Sequence, residues 1–146
     1  MIRPHLERLS LPPAAVDWLD GLWGVIQALD DVADGDPVEQ KALRSAIYTA
    51  LVGLPSNAFF QAHSAALLPL LAASVLKWVA ADDAERNGHA DERSFVWRAG
   101  YYDVVLMVCL LVHGPEQAMS AAQQVLSIYG ETFTEYRQEF KECNDA

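Results

Sequence analysis

Apolar residues recur at helical spacing through most of this chain, and this periodicity limits the fold more than any other feature of the sequence. In the segment after Pro12-Pro13, the apolar residues mostly lie three or four positions apart: Leu19, Leu22, Trp23, Ile26 and Leu29. Such spacing places side chains on one face of a helix. No segment shows the apolar-polar alternation of a half-buried strand. The sequence therefore predicts an all-α fold.

Proline, glycine and capping residues divide the chain into five or six helices. Proline is tolerated in the first turn, glycine often follows the last turn, and Asp or Thr before a helix can accept hydrogen bonds from its first N–H groups. These signals predict helices over about 12–33, 37–52, 56–86, 92–112, 116–129 and 132–142. We expect a compact bundle in a single domain spanning residues 1–146, because this length can bury one core but is too short for two.

The helix predicted over about 92–112 is apolar on nearly every face. Its apolar residues include Trp97, Val104, Leu106 and Leu110. A helix of this kind is normally covered by protein on all sides. We therefore expect it to be the central helix of the bundle.

Asp103 stands within the apolar part of this helix. Its neighbours on the helix surface are apolar or small, including Val96, Gly100, Met107 and Leu110. A carboxylate in such surroundings must be paired, bound to metal or protonated, so we expect Asp103 to be mostly buried and hydrogen-bonded. It is either a structural residue or part of a binding site.

The charge of the chain excludes some partners. Twenty acidic and ten basic residues give a net charge of −10, and the basic residues are scattered. Nucleic-acid binding needs clustered Lys and Arg, so no nucleic-acid partner is expected. The longest uninterrupted apolar run, 104–112, is about half of a membrane span, and the N-terminus lacks the apolar core of a signal peptide. We expect a cytoplasmic protein with no membrane partner.

Two similar acidic segments lie where predicted helices end. A helix C-terminus already carries partial negative charge, so acids there are locally unfavourable and call for another reason. Helical spacing continues the apolar stripes of the two helices into these segments and places four carboxylates toward the interior. The four are Asp30 and Asp34 in the first segment, and Asp82 and Glu85 in the second.

Magnesium is the cation that fits these carboxylates. It prefers hard oxygen ligands and typically bridges carboxylates to substrate phosphates. We therefore predict a Mg²⁺ site through which the chain binds or hydrolyses a diphosphate-containing small molecule. Its predicted ligands are Asp30, Asp34, Asp82 and Glu85, and Asp31 and Asp103 are further candidates for the site.

Two family resemblances agree with this prediction. Asp30-Asp31-Val32-Ala33-Asp34 resembles the first aspartate-rich motif of the class I isoprenoid synthases, and 82–86 is similar to a second such motif. That resemblance implies facing helices whose acids bind magnesium and diphosphate. The first motif is also similar to the first acidic motif of the all-α nucleotide pyrophosphohydrolases. The segment Tyr102-Asp103-Val104-Val105-Leu106 is similar to their second motif, although Gly100 stands where that family has an acid. This second resemblance implies magnesium-dependent hydrolysis.

Other interpretations of the acids remain open at the level of sequence. Acids at helix ends are often solvated, and Gly35-Asp36 is typical of a turn. The chain could also be a non-catalytic adaptor, inhibitor or assembly subunit, whose acidic face binds a basic protein surface and whose aromatic helices form a homo- or hetero-oligomer. No serine or cysteine nucleophile has a recognisable base, so the sequence does not decide whether the chain is an enzyme.

Overall fold

Helices occupy most of the chain, and no β-strand occurs in residues 1–145. A computed structural model describes these residues, with side chains described as far as residue 140. In chain order the helices are α1 Arg3–Glu7, α2 Pro13–Ala33, α3 Gln40–Tyr48, a π-helical turn Thr49–Gly53, α4 Leu54–Ser56, α5 Ala58–Arg86, α6 Glu92–Trp97, α7 Tyr101–His113, α8 Pro115–Ile128 and α9 Phe133–Asp145. The predicted all-α class is confirmed.

The described part of the chain has more helical segments than the five or six predicted. Two of the additional segments are short, since α1 has five residues and α4 has three. The segment predicted as one helix over about 92–112 is divided into α6 and α7 by a turn at residues 98–100. This turn matters for function, because it carries Arg98.

Gly100 lies where this turn passes against α5. A Cβ atom at Gly100 would be 2.7 Å from the Cβ atom of Ser74, which is closer than such atoms pack, and 3.2 Å from its Cα atom. The Ser74 hydroxyl donates a 3.4 Å hydrogen bond to the Gly100 carbonyl. A larger residue would force the turn and α5 apart, so an acid at this position would require a shift of the backbone.

The core lies where α1, α2, α5, α7 and α8 meet. Trp18 on α2 stacks on Phe60 of α5 with ring centroids 5.5 Å apart, and the Tyr101 hydroxyl on α7 donates a 2.9 Å hydrogen bond to the Leu19 carbonyl. Burial of each large apolar side chain contributes about 1.5–3 kcal/mol. The most deeply buried side chains are Leu6, Trp18, Leu19, Leu67, Val104, Val105, Val108, Cys109, Val125 and Tyr136.

α7 is well buried on one side only. Five of its thirteen residues are buried, among them Val104 and Val108. Leu106 and Leu110, however, are 37% and 38% exposed, and they line a shallow apolar hollow beside α8. The expectation that protein covers this helix on every face therefore does not hold for its outer face.

α5 is the longest helix, and it packs on one side while the other side faces solvent. Its 29 residues include Pro69, and the backbone departs from helical geometry at His63. Among residues 1–145, α5 is the one helix long and apolar enough to cross a membrane by length and composition, although only 11% of its most apolar stretch is buried. The count of uninterrupted apolar residues missed this helix, because Ser64, Pro69 and Ser74 interrupt the run between His63 and Lys77.

Candidate functional site

The C-terminal ends of α2 and α5 lie side by side, so the two acidic segments are neighbours. The indole N–H of Trp78, one turn before Asp82, donates a 3.3 Å hydrogen bond to Asp30 Oδ1. Arg86 donates from Nε to Asp82 Oδ2 at 2.9 Å and from Nη2 to the Ala33 carbonyl. These contacts join the ends of the two helices.

A guanidinium group lies between the carboxylates of the two segments. Arg98 Nη2 is 3.7 Å from Asp30 Oδ2, and Arg98 Nη1 is 3.7 Å from Glu85 Oε2. Its guanidinium also lies over the Tyr136 ring, 5.1 Å from the centroid, a distance at which cation–π attraction operates. Nη1 is buried and has no hydrogen-bond partner. Charge and packing, rather than short hydrogen bonds, therefore hold this side chain.

Tyr136 joins the terminal helix α9 to this cluster. Its buried hydroxyl donates a 2.9 Å hydrogen bond to Glu85 Oε2 and lies 2.6 Å from Ser94 Oγ. Ser94 forms the capping box of α6 with Asp91. These bonds fix Glu85 against two further helices.

Capping residues predicted from the sequence position α9. The backbone N–H of Thr132 donates to Glu135 Oε2 at 3.1 Å, and the N–H of Glu135 donates to Thr132 Oγ1 at 3.2 Å. This is the reciprocal pattern of a capping box. The predicted start of the terminal helix is therefore confirmed.

The carboxylates around Arg98 outnumber it, and burial raises the pKa values of several of them. Burial is the main cause that raises the pKa of Glu85, although Arg98 and the Tyr136 hydroxyl oppose it. Burial also raises the pKa of Glu131, and burial together with Asp30 raises that of Asp34. For Arg98, burial lowers the pKa but the surrounding carboxylates outweigh it, so the group remains charged.

These raised pKa values give a testable pH dependence. The folded carboxyl groups bind protons more tightly than the unfolded ones, so their contribution to stability is complete below the ordinary pKa of about 4 and is lost as pH rises through the raised folded-state pKa. We expect the melting temperature, measured by circular dichroism at constant ionic strength, to fall from pH 5 to pH 8. Glu85→Gln should flatten this slope. A melting temperature that rises steadily over the same range would contradict the assignment.

The cluster forms one wall of a cavity of about 390 Å³. Its size and its lining, in which aromatic and aliphatic side chains predominate over polar ones, are typical of small-molecule sites, where a few polar groups orient the ligand. The aromatic lining consists of Trp23, Trp78, Tyr101, Tyr102 and Tyr129. The polar lining includes His5, Gln27, Asp30, Arg98 and Glu131.

The aromatic wall is braced by its own contacts. The centroids of Trp23 and Tyr101 are 5.0 Å apart, and those of Tyr102 and Tyr129 are 4.9 Å apart. Burial raises the pKa of Tyr101 far above its usual value and that of Tyr129 to about 12. These two tyrosines therefore stay neutral near neutral pH and serve as surfaces for packing rather than as bases.

The predicted metal ligands occupy one neighbourhood but do not converge on one point. Asp30 and Glu85 each lie 3.7 Å from Arg98, Asp34 is an exposed residue at the C-terminal cap of α2, and Asp82 is bonded to Arg86. In residues 1–140, no three Asp, Glu, His or Cys side chains are arranged to hold a metal ion together. Magnesium binding through Asp30, Asp34, Asp82 and Glu85 stays a prediction, in which the cation would draw these carboxylates together.

The two further candidates lie apart from the cluster. Asp31 is exposed and lines a separate hollow between α2 and α3. Asp103 lies 3.2 Å from Lys77 Nζ, so the expected pairing is confirmed. The expected burial of Asp103 is wrong, because its side chain is 47% exposed at the edge of α7 next to α5.

Sequence-based prediction missed Arg98, Trp78 and Tyr136 as members of the site. The sequence does carry a signal for Arg98. It is the single charged residue between Arg93 and Asp103, and it stands in an apolar segment of a chain that has two clusters of acids. A cation in such a position normally pairs with a buried acid. For Trp78 and Tyr136 the sequence carries no comparable signal, since aromatic residues at helical spacing are usually core residues.

Comparisons with protein-family models, with curated proteins and with solved structures found no match to this chain.

Proposed function

We propose that this chain is a cytoplasmic protein that binds a diphosphate-containing small molecule, together with Mg²⁺, in the aromatic cavity beside Asp30. One observation supports this most: Asp30 and Arg98 line the same cavity as Trp23, Tyr102 and Tyr129. An apolar ligand body can pack on the aromatic rings while its charged head reaches the carboxylates and the guanidinium. The first acidic motif therefore lies where a ligand head would lie.

The charge of the cavity explains why a divalent cation belongs to the proposal. Asp30 and Glu131 line the cavity, Glu85 lies behind Arg98, and this guanidinium is the one Arg or Lys side chain in the described cavity wall. A diphosphate alone would be repelled by this excess of carboxylates. Magnesium neutralises part of that charge and bridges carboxylates to phosphate oxygens, and Arg98 can donate two parallel N–H bonds to the anion.

Hydrolysis of the bound diphosphate is the second step of the proposal. A bound metal ion polarises the phosphoryl group and lowers the pKa of an attacking water. Glu131 is the best-placed proton acceptor, because it lines the cavity and burial raises its pKa toward the range of a general base. Release of phosphate or pyrophosphate from the ligand would measure this step.

Thermal unfolding with added ligands tests the binding step. Millimolar Mg²⁺ with inorganic pyrophosphate, or with an isoprenyl diphosphate, should raise the melting temperature, because a ligand of the native state stabilises by about 2.7 kcal/mol at a hundred times its Kd. Asp30→Asn and Asp82→Asn should each remove the rise. Asp31→Asn is the matched control, since Asp31 is adjacent in sequence but lines another hollow, and it should keep the response.

An interaction protein without catalytic activity is the second candidate function. Its support is the number of large apolar side chains that are exposed outside the cavity, including Leu51, Leu76, Met119 and Leu126. Soluble monomers rarely expose large continuous apolar patches, and such patches usually mark interaction sites. An unchanged melting curve with Mg²⁺ and both diphosphates would favour this candidate over the first.

A further inference from the structure

The outer side of α5 is a continuous apolar face, and it lies apart from the proposed ligand cavity. Its exposed positions over residues 62–80 carry no charge, and Leu76 and Val75 are 70% and 58% exposed. The face, referred to below as the α5 face, consists of Ala62, Ala65, Leu68, Pro69, Ala72, Ala73, Val75, Leu76, Val79 and Ala80. The packed side of α5 carries polar and charged side chains as well as apolar ones, among them His63, Ser64, Ser74, Lys77, Asp82 and Glu85.

The spacing along the α5 face is that of a helix-pairing seam. Ala65, Leu68, Ala72, Leu76 and Val79 follow one another at steps of three or four residues. This spacing keeps the side chains on one stripe of the helix, along which a second helix can pack. The alanines between the larger residues allow the backbone of a second helix to approach closely.

The exposed area of the chain is large enough to include an interface. The chain exposes 9038 Å², whereas a folded monomer of 16.1 kDa exposes about 7,400 Å². The excess is about a fifth, and a standard interface takes about 800 Å² from each partner. The exposed area of the whole chain therefore leaves room for one interface of this size, and the exposed side chains of the α5 face are part of that area.

We propose that the α5 face binds the same face of a second copy of this chain, with the two helices antiparallel about an axis near Ala72. This axis brings Leu68 of one copy opposite Leu76 of the other, since both lie four residues from Ala72. It also places the small side chain of Ala65 opposite the larger Val79. An interface of this kind is self-complementary, as twofold symmetry requires.

The exposed charge at the C-terminal end of α5 favours the antiparallel direction. Asp83 is exposed just beyond the face, whereas Asp82 and Glu85 lie on the packed side and are paired with Arg86 and Arg98. A parallel pair would bring the two copies of Asp83 together. An antiparallel pair places them near the first turn of the partner's α5, where the backbone N–H groups carry partial positive charge.

The same charges favour a second copy over a membrane as the occupant. Helices that lie on membranes usually carry Lys and Arg around the apolar face, which attract anionic lipids. Here Lys77 at the edge is paired with Asp103, Arg86 beyond the end of the face is paired with Asp82, and the chain has a net charge of −10. An anionic lipid surface would repel this region of the protein.

Light scattering after size-exclusion chromatography tests the proposal with the full-length chain. The wild type should elute with twice the chain mass of 16.1 kDa, and Leu76→Glu should reduce the measured mass to that of one chain. Leu126→Glu is the matched control, because Leu126 on α8 is exposed to a similar extent, and this variant should remain dimeric. Circular dichroism of both variants should match the wild type, since neither residue is in the core.

A cross-link tests the axis without disturbing the face. Ala72→Cys, in a background with Cys143→Ser, should form a disulfide-linked dimer under mild oxidation, whereas Ala42→Cys on α3 should not. A monomeric wild type, or a dimer that Leu76→Glu leaves intact, would overturn the proposal. A monomer that binds neutral phosphatidylcholine vesicles until Leu76→Glu is introduced would overturn it in favour of a membrane. Failure of the proposed pairing would leave the diphosphate test of the cavity unaffected.

Discussion

Replacement of Arg98 by methionine is expected to lower the free energy of unfolding by on the order of 3 kcal/mol at pH 8, because it leaves a buried carboxylate without its cation. Glu85 has a side chain that is 9% exposed and lies 3.7 Å from the Arg98 guanidinium. Methionine keeps much of the volume of arginine and removes the charge. Chemical denaturation followed by circular dichroism measures the change.

The loss of unfolding free energy in the Arg98→Met variant, referred to below as its deficit, should depend on pH. Without Arg98, the folded-state pKa of Glu85 rises further, since burial already raises it and the opposing cation is gone. A protonated carboxyl tolerates burial, so the deficit is smallest below the ordinary pKa of about 4 and grows as pH rises through the folded-state value. The double variant Arg98→Met/Glu85→Gln should regain part of the loss at pH 8, because no unpaired charge remains.

Arg93→Met is the control for this prediction. Arg93 lies on α6, five residues from Arg98, and its side chain is 88% exposed in a pair with Asp91. Exposed ion pairs contribute little to stability, so this variant should unfold almost as the wild type does. Equal effects of the two substitutions at pH 8 would show that the carboxylates around Arg98 do not depend on its charge.

Local signals in the sequence predicted the helical class and the cap of α9 correctly. The Thr132 and Glu135 capping box depends on residues three apart, and the structure has both of its hydrogen bonds. The acidic ends of α2 and α5 are also neighbours, as a shared site would require. The helical periodicity, the capping box and the two acidic segments are each visible within one or two turns of helix.

The features that the sequence did not predict depend on contacts between distant segments. The turn that divides the predicted 92–112 helix lies where Gly100 meets Ser74, which is 26 residues away along the chain. The position of Arg98 between Asp30 and Glu85 depends on this turn. Periodicity within one helix carries no information about such a contact, so the composition of the site could not be predicted in full.

The outer face of α7 leads to the second prediction with a large effect. Leucines that look alike in the sequence differ in how far solvent reaches them in the structure. Leu19 on α2 has no exposed surface, whereas Leu106 on α7 is 37% exposed. Leu19→Ala should lower the free energy of unfolding by about 2–5 kcal/mol, since it removes buried apolar atoms and leaves a cavity in the core. Leu106→Ala should cost no more than about 1 kcal/mol, because solvent already reaches that side chain.

The comparison uses the same substitution twice, so differences in helix propensity largely cancel. Both residues lie within helices, and both changes replace leucine with alanine. Urea denaturation of the two variants at one protein concentration gives the two free energies directly. If Leu106→Ala proved as costly as Leu19→Ala, protein would cover the outer face of α7 in solution. Residues of the apolar hollow beside α8, with Leu106 among them, would then belong to an interface, as the α5 face is proposed to do.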